Sequence, residues 1–437
     1  MSFVLLGILN SQAAAGGWTP GPYFIGTYGD SNIVSNVADI ALDSNGNLYT
    51  GGRSYPGGGG YQALVFSWSG TGTPRWIKRF GGGNNDVTGV GVDSGDNVII
   101  TGYTGTSATG GSTSFINKFN SSGTSQWAYE LESTGEDEGE ALAIDSSDNT
   151  YATGWSNFGI GRKAMMLKRN SSGTIQWQRQ YGDNGSNQQG NGFAINGGHI
   201  YQSGYLTVSG NVGGFIHKIG TNGATTWGAL ISGSGTEDIQ DVAVDSTGAV
   251  YGAGYTTSDG AGPTNAFLVK YNSTGSLQYR RVMGTSGVTT QFLGVAVDSS
   301  DNIFAVGRTG SGSNGFIAKF DSSGNLLFQR EITGYSQIQD VVVDSNDDIY
   351  CSFITNNAGA GNYDNGIMYL PGDGSRMSTV TVDGYDFTYQ EASTTLLTTV
   401  AIYNYNASQT NASSSLTDAS ISWSYASPGF TQYLTLV

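Results

Sequence analysis

A turn motif that recurs about every 50 residues constrains this chain more than any other feature of its sequence. Each copy contains a short strand, an Asp-Ser turn and a second strand, as in IALDSNGNLYTGG from Ile40 and VAVDSSDNIFAVG from Val295. An aromatic or aliphatic residue follows each turn, at Tyr49, Ile99, Tyr151, Tyr201, Tyr251, Phe304 and Tyr350. The copy before Tyr201 is degraded and one residue shorter. Seven anchors predict seven copies of one structural unit.

A second motif within each copy completes the unit. A strand that ends in Lys leads through an Asn/Asp-Ser-Ser/Thr-Gly turn into a strand with an aromatic residue, as in MLKRNSSGTIQW from Met166. The alternation of apolar residues between Gly, Asn and Asp turns predicts four strands per unit, which we call A to D. One four-stranded unit cannot bury both of its faces, whereas units stacked around an axis can. The sequence therefore predicts an all-β fold, a seven-bladed β-propeller.

The two ends of the chain differ from the repeats. YFIGTYGDSN, from Tyr23, resembles the start of a strand D without strands A to C before it, and the seventh unit is poor in that strand. We expect residues 23–29 to complete the last blade of a propeller that spans residues 23–376. We expect residues 1–22 to form an apolar N-terminal arm, with a cleaved secretory signal ending near Ala13–Ala15 as the alternative. Residues 377–437 contain no Lys or Arg and predict a C-terminal β-rich assembly module.

Composition limits the partners of this chain. It carries 18 Lys and Arg against 34 Asp and Glu, a formal charge of −16, so nucleic acid is not an expected partner. Only 12% of the residues are charged, which leaves a surface rich in Ser, Thr, Asn and Gly. No stretch approaches the roughly 18 apolar residues that span a bilayer. Cys351 is the one cysteine, so the chain has no internal disulfide, and a buried structural thiol is expected.

A polar position recurs seven residues before the turn Asp of six repeats, with Gln189 as its nearest counterpart in the degraded repeat. The residues there are all carboxylates or carboxamides: Asn36, Asp86, Glu138, Gln189, Asp238, Gln291 and Gln337. We interpret this set as a polar collar around the central channel that could bind a cation or a sugar hydroxyl. The alternative is that these side chains cap strand A or hydrate the channel mouth. Long, irregular B–C loops, such as those from Thr104 and Thr256, place recognition on the face of the B–C and D–A loops.

Other candidate residues favour structural roles. The turn aspartates (Asp43, Asp93, Asp145, Asp245, Asp298 and Asp344) lack the further ligands of a calcium loop and are expected to bind their own turns. The strand-C lysines (Lys118, Lys168, Lys218, Lys270 and Lys319) are expected to pair with nearby turns. The acidic run Glu136–Glu140 is interpreted as a solvated loop, with a metal site or an acid/base pair as alternatives. His199 and His217 are isolated. We therefore predict no catalytic residue, no metal and no cofactor.

The repeat motifs quoted above, together with LVKYNSTGSLQY from Leu268, resemble the SBBP-type seven-bladed propeller repeats of bacterial and phage proteins. The low charge and the opening MSFVLLGILNSQAAAGG are similar to virion proteins of tailed bacteriophages. These resemblances imply a non-enzymatic structural or recognition protein of the virion: a tail fibre or appendage, or a capsid decoration. Its expected partners are other virion proteins or self-copies, bound through the two chain ends, and a host-surface glycan. The alternatives are a secreted lectin-like propeller at the cell surface and a polysaccharide-cleaving enzyme.

Overall fold

Seven antiparallel sheets form the protein, and each holds one repeat of the sequence. The computed structural model describes residues 2–8, 23–29, 34–55, 60–105, 111–132, 135–157, 161–181, 187–208, 210–310, 314–334, 336–355, 364–375, 378–382, 385–392, 395–397 and 417–420. Every regular element in these ranges is a β-strand. The prediction of an all-β, seven-bladed propeller is confirmed.

Four consecutive strands, in the order A to D, make up each of the first six blades. Blades 1 and 2 contain β3 (Val34–Leu42), β4 (Leu48–Tyr55), β5 (Gln62–Trp68), β6 (Pro74–Phe80), β7 (Asp86–Val92), β8 (Val98–Thr104), β9 (Thr113–Phe119) and β10 (Ser125–Glu132). Blades 3 and 4 contain β11 (Asp137–Ile144), β12 (Thr150–Asn157), β13 (Arg162–Arg169), β14 (Ile175–Tyr181), β15 (Gln188–Asn196), β16 (His199–Val208), β17 (Asn211–Gly220) and β18 (Thr225–Ile231). Blades 5 and 6 contain β19 (Glu237–Val244), β20 (Val250–Thr256), β21 (Asn265–Tyr271), β22 (Leu277–Gly284), β23 (Thr290–Val297), β24 (Ile303–Thr309), β25 (Asn314–Phe320) and β26 (Leu326–Ile332).

The seventh blade joins the two ends of the ring. Its strands A to C are β27 (Ser336–Val343), β28 (Ile349–Thr355) and β29 (Asp364–Leu370). The fourth strand is β2 (Tyr23–Gly29), which runs antiparallel to β29 with Phe24 opposite Tyr369. A further strand, β1 (Ser2–Ile8), pairs with the outer edge of β2. Early chain therefore closes the ring by hydrogen bonding to late chain.

Strands from the C-terminal region extend the outer edges of three blades. β31 (Tyr385–Glu391) pairs with β26 of blade 6 and with β30 (Ser378–Val382). β32 (Thr395–Leu397) pairs with β22 of blade 5, and β33 (Thr417–Ser420) pairs with β10 of blade 2. The described C-terminal strands thus cover open strand edges of the propeller.

The Asp-Ser turns between strands A and B form hydrogen bonds within each turn and with the turn of the next blade. In blade 1, the backbone amides of Asn45 and Asn47 donate to Asp43 Oδ1 at 2.9 and 2.7 Å, which confirms the structural role of that aspartate. Ser44 donates from its amide and its hydroxyl to the carboxylate of Asp96, in the turn of blade 2. Asp96 has a positive φ of 58°, a conformation that glycine adopts at the same position of blade 1, Gly46.

The C–D turns add a second set of contacts between blades on the same face. Lys319 lies 2.9 Å from Asp298 Oδ2 within blade 6 and donates to the carbonyl of Gly372 in blade 7. The indole of Trp177 in blade 3 donates to the carbonyl of Thr221 in blade 4 at 2.9 Å. Local pairing of the strand-C lysines is thus confirmed for Lys319, and Lys118 and Lys270 contact turn aspartates in the same way. These polar side chains of the A–B/C–D face are therefore paired within or between blades.

Strand A of every blade contains a β-bulge next to the axis. In blade 5, Ile239 and Asp241 pair with Gly254 and Ala253, which leaves Gln240 as the extra residue. A Cβ atom at Gly254 would lie 1.9 Å from the carbonyl oxygen of Asp238. The bulge therefore accounts for the glycine that ends this repeat motif.

Replacing the glycine opposite a bulge should destabilise the fold. We expect Gly254→Ala to lower the free energy of unfolding by about 2 kcal/mol, because the backbone must move to admit the methyl group. Gly82→Ala is the matched control, since nothing lies within 4 Å of the corresponding Cβ position. Chemical denaturation of the two variants measures the difference. Equal stabilities would contradict this explanation of the motif.

Candidate functional site

A ring of strand-B side chains on the B–C/D–A face faces the predicted collar across each blade. In blades 1 to 7 the residues paired with the collar positions are Arg53, Tyr103, Trp155, Tyr205, Tyr255, Arg308 and Ile354. Four are aromatic and two are arginines. Sequence reasoning missed this ring, although an available signal was the aromatic or Arg residue directly after the repeat glycine in six of the seven copies. We call the collar and its partners the rim ring.

Hydrogen bonds join the rim ring of blades 3 to 5. The Tyr255 hydroxyl donates to Asp238 Oδ2 at 3.2 Å, and Asn191 Nδ2 of blade 4 donates to Asp238 Oδ1 at 2.8 Å. The Tyr205 hydroxyl donates to Gln189 Oε1 at 3.1 Å. Gln189 Nε2 in turn donates to Glu140 of blade 3 at 3.0 Å. The collar residues of blades 4 and 5 are therefore oriented by their neighbours.

Arginine side chains link the collar on the other side of the ring. Arg53 of blade 1 lies 3.1 Å from Asp86 Oδ2 of blade 2 and donates to the Tyr103 hydroxyl at 3.5 Å. Arg308 Nε donates to Gln291 at 2.7 Å, and its Nη1 donates to Gln337 of blade 7 at 3.3 Å. Burial raises the pKa of Asp86 to about 7 despite the opposing charge of Arg53. Asp86 is thus a carboxyl group that titrates near neutral pH.

Glu138 and Asn36 complete the collar. Glu138 accepts a hydrogen bond from Ser112 Oγ at 3.0 Å, and burial raises the pKa of Glu138 above its ordinary value. Its cross-strand partner Trp155 is 1% exposed, with the guanidinium of Arg162 3.8 Å from the ring centre. The structure places the backbone of Asn36 opposite Arg53, and the predicted side-chain role of Asn36 lies outside what is described.

The central channel is lined by different residues from those predicted. Its cavity, of about 260 Å³, is bounded by positions two to four residues later in strand A, including Asp39, Glu140, Asp241 and Asp340. None of the seven collar residues lines it. The physical reason is the bulge, which turns the extra residue and the one after it toward the axis. The collar belongs to the rim of the B–C/D–A face instead of the channel wall. Ligand binding by the collar itself stays a prediction.

Carboxylates in the channel join neighbouring blades. Asp39 Oδ2 accepts a hydrogen bond from the Val90 amide of blade 2 at 2.6 Å, and Asp241 Oδ2 accepts one from the Val295 amide of blade 6 at 2.9 Å. A side-chain hydrogen bond joins Asp39 to Asp340 across the closure of the ring, and burial raises the pKa of both. Burial and the charge of Asp340 raise the pKa of Asp241 to about 8. These hydrogen bonds link blade 1 to blades 2 and 7, and blade 5 to blade 6.

The remaining candidates from the sequence do not form a site among the described residues. His217 is 4% exposed, and burial lowers its pKa to about 4. His199 lies at a turn with Nδ1 3.2 Å from the Gly197 carbonyl oxygen. Cys351 is buried, which confirms the expected structural thiol. No group of three or more His, Cys, Asp or Glu residues in the described chain is arranged to hold a metal ion.

The described residues include no helix with the length and apolar character required to cross a membrane.

The fold and the rim ring together define a seven-bladed β-propeller with a polar, aromatic face. No family model matches the chain, and no curated protein matches it. Solved structures similar to it include Sqt1 of Chaetomium thermophilum, at 12% identity over 82% of this chain and 95% of that one, with a TM-score of 0.45. Polysaccharide lyase Uly1 is 8% identical over 77% of this chain and 90% of its own, with a TM-score of 0.46.

A protein of unknown function from Bacteroides caccae is 11% identical over 56% of this chain and 80% of its own, with a TM-score of 0.38. At these identities the likeness concerns the fold alone. The resemblances to SBBP-type repeats and to tailed-phage virion proteins stay predictions from the sequence.

Proposed function

We propose that this protein is a non-enzymatic recognition protein whose B–C/D–A face binds a glycan. The observation that carries this proposal is the rim ring, in which aromatic side chains and hydrogen-bonded carboxyl and amide groups lie together on one face. Tyrosine offers an apolar ring with a polar hydroxyl, and carboxylates accept hydrogen bonds from hydroxyl groups. A sugar ring presents both of the matching surfaces, apolar C–H groups and hydroxyl donors.

The rigidity of the ring supports a role in presentation. Contacts between blades, such as Ser44 to Asp96 and Trp177 to Thr221, fix the A–B/C–D face. The opposite face carries the B–C loops, and variable loops on a rigid scaffold commonly carry recognition. Because the rim side chains are already hydrogen-bonded to one another, little ordering is required when a ligand binds.

The proposed location is the virion of a tailed bacteriophage, as a tail fibre or appendage or as a capsid decoration. The composition and the sequence resemblance support this location. The N-terminal arm and the C-terminal module would then contact other virion proteins or further copies of this chain. A secreted, lectin-like protein at the cell surface is the alternative location for the same glycan-binding activity.

A second candidate function is cleavage of a polysaccharide. The observation that favours it is Asp86, whose pKa of about 7 suits a general acid, in contact range of Arg53 and close to Tyr103. Glu140 is a further carboxyl group with a pKa raised to about 8, by burial and by the charges of Glu138 and Asp86. The binding experiment below separates this candidate from the first.

Substitution of the rim tyrosines should weaken glycan binding. We expect wild-type protein to bind members of a glycan array, and Tyr205→Ala with Tyr255→Ala to weaken binding roughly tenfold or more, since a sugar would lose its aromatic contacts. Tyr279→Ala is the matched control, because Tyr279 lies on β22 outside the rim ring. Calorimetric titration gives the affinities, and thermal unfolding shows that each variant is folded.

Two outcomes would overturn this proposal. One is the absence of any bound glycan, or equal binding by the rim and control variants. The other is shortening of the bound glycan during prolonged incubation, followed by loss of that activity in folded Asp86→Asn and Glu140→Gln variants. The second outcome would establish the cleaving enzyme in its place.

A further inference from the structure

A pocket beside the rim ring opens between blades 1, 2 and 3 on the B–C/D–A face. It has a volume of about 370 Å³, and its lining includes Arg53, Tyr61, Asn85, Tyr103, Glu136 and Glu138. We call it the inter-blade pocket. It differs from the channel cavity because its residues come from the B–C and D–A loops and from the rim, and not from the bulges of strand A.

Two adjacent residues, one in the lining of this pocket and one next to it in the chain, each carry a buried oxygen that lacks a donor among the described residues. Asn85 lines the pocket and is 1% exposed; its Nδ2 donates to the Tyr61 carbonyl at 3.2 Å, whereas its Oδ1 accepts no hydrogen bond. Asp86, the next residue along the chain, lies outside the lining and is 8% exposed; its Oδ2 pairs with Arg53, and its Oδ1 has no hydrogen-bond partner among the described residues. Buried acceptors of this kind are uncommon, because an unmade hydrogen bond is costly. They favour a ligand that is rich in hydrogen-bond donors.

The charge of the pocket further restricts the class of ligand. Glu136 and Glu138 supply two carboxyl groups to its lining, against the single guanidinium of Arg53. That guanidinium is already engaged, since it is paired with Asp86 and lies 4.5 Å from the centre of the Tyr61 ring. Acidic sugars such as uronates would meet like charge here. A cationic donor would meet opposite charge and unused acceptors.

We infer that the inter-blade pocket binds an amino sugar that carries a free ammonium group. The ammonium group offers three donors to the Glu136 and Glu138 side, and the hydroxyls of the sugar offer donors to Asn85. Tyr61 and Tyr103 supply aromatic surface for the apolar side of the ring. This inference rests on the proposed glycan-binding function and names the class of sugar for one part of the face.

Calorimetric titration with three oligosaccharides of equal length tests the inference. The probes are a glucosamine oligomer, its N-acetylated counterpart and a galacturonate oligomer, all at mildly acidic pH. We expect the glucosamine oligomer to bind roughly tenfold more tightly than the N-acetylated one, and the galacturonate oligomer to bind more weakly than either. Glu136→Gln and Glu138→Gln should each remove most of this preference.

Two controls check that the variants are folded and that a charge change away from the pocket has no effect on the preference. Glu136 is exposed, so Glu136→Gln should fold normally, and thermal unfolding checks both variants. Asp259→Asn makes the same charge change on the B–C loop of blade 5, where Asp259 pairs with Arg280 at 2.9 Å, and it should keep the preference.

Each remaining result would overturn the inference in a different way. Equal affinity for the amine and its N-acetylated form would exclude recognition of the ammonium group. Equally tight binding of a lysine-rich peptide would indicate a basic protein partner instead of a sugar. If another glycan binds and depends on Tyr205 and Tyr255, the inference fails while the proposed function stands. If no glycan binds at all, both fail.

Discussion

Removal of residues 1–29 should abolish the cooperative unfolding of the native ring or lower its thermal midpoint by about 10 °C or more. The truncated chain lacks β2, which supplies the fourth strand of blade 7 and pairs with β29 from Phe24 to Tyr28. Each lost backbone hydrogen bond costs roughly 1 kcal/mol, and the newly exposed edge of β29 can pair with other chains. Circular dichroism during heating and light scattering measure the two effects.

Two controls identify ring closure as the cause. Removal of residues 1–8 alone takes away β1, which pairs with the outer edge of β2, and should have a smaller effect. Relocating residues 23–29 to a position after Ser375 would make them a covalent strand D of blade 7, since Phe24 lies opposite Tyr369. Such a chain should recover most of the lost stability. An unchanged midpoint after removal of residues 1–29 would show that closure contributes little.

The number of blades is predictable from the sequence because the turns are local structures. Asp43 binds the amides of Asn45 and Asn47, which lie two and four residues later, so the motif identifies a turn without knowledge of the rest of the fold. The contact of Ser44 with Asp96 spans two blades, yet it too repeats with the motif. What repeats locally can be counted in a single sequence.

The functional face is less predictable because it depends on register. A bulge adds one residue to strand A, so alternation of side chains, counted back from the turn Asp, assigns the wrong side beyond that point. The prediction from the sequence placed Asp238 in a collar around the channel, whereas Asp241 lines the channel cavity. The partner Tyr255 is known only once the pairing of β19 with β20 is known. The pairing of β31 and β32 with outer blade edges was also not predictable from the sequence, because edge pairing uses backbone atoms, which every residue has.

The channel carboxyl groups should make the protein less stable as the pH rises toward 8. Burial raises the pKa of Asp241 to about 8, whereas in the unfolded chain this group loses its proton near pH 4. Between these values the folded state holds a proton that the unfolded state has released. Unfolding therefore releases a proton, and the free energy of unfolding falls by up to about 1.4 kcal/mol per pH unit for each such group. Above about pH 8 the contribution of Asp241 becomes constant.

Asp241→Asn should remove part of this dependence and raise stability at pH near 8. The amide oxygen of asparagine can still accept the hydrogen bond that the Val295 amide donates at 2.9 Å, but the side chain carries no charge to bury. Asp340→Asn should act similarly, because Asp340 shares a hydrogen bond with Asp39 and its charge raises the pKa of Asp241. Denaturant titrations at several pH values measure the slopes. A variant with the wild-type slope would contradict the assignment.

The turn aspartates provide a control of opposite sign. Hydrogen bonds from Asn302 and Lys319 lower the pKa of Asp298 despite its partial burial, so Asp298 stabilises the fold above the pKa of the unfolded chain. That contribution is lost as the pH falls through the lowered folded pKa, below about pH 4. Asp298→Asn should therefore lower the free energy of unfolding at neutral pH and make it depend less on pH below about pH 4. Its decrease toward pH 8 should be unchanged. Protonation of the turn aspartates at low pH removes their hydrogen bonds, and ionisation of the channel carboxyl groups toward pH 8 places charge in a buried site. We therefore expect the free energy of unfolding to be greatest at mildly acidic pH.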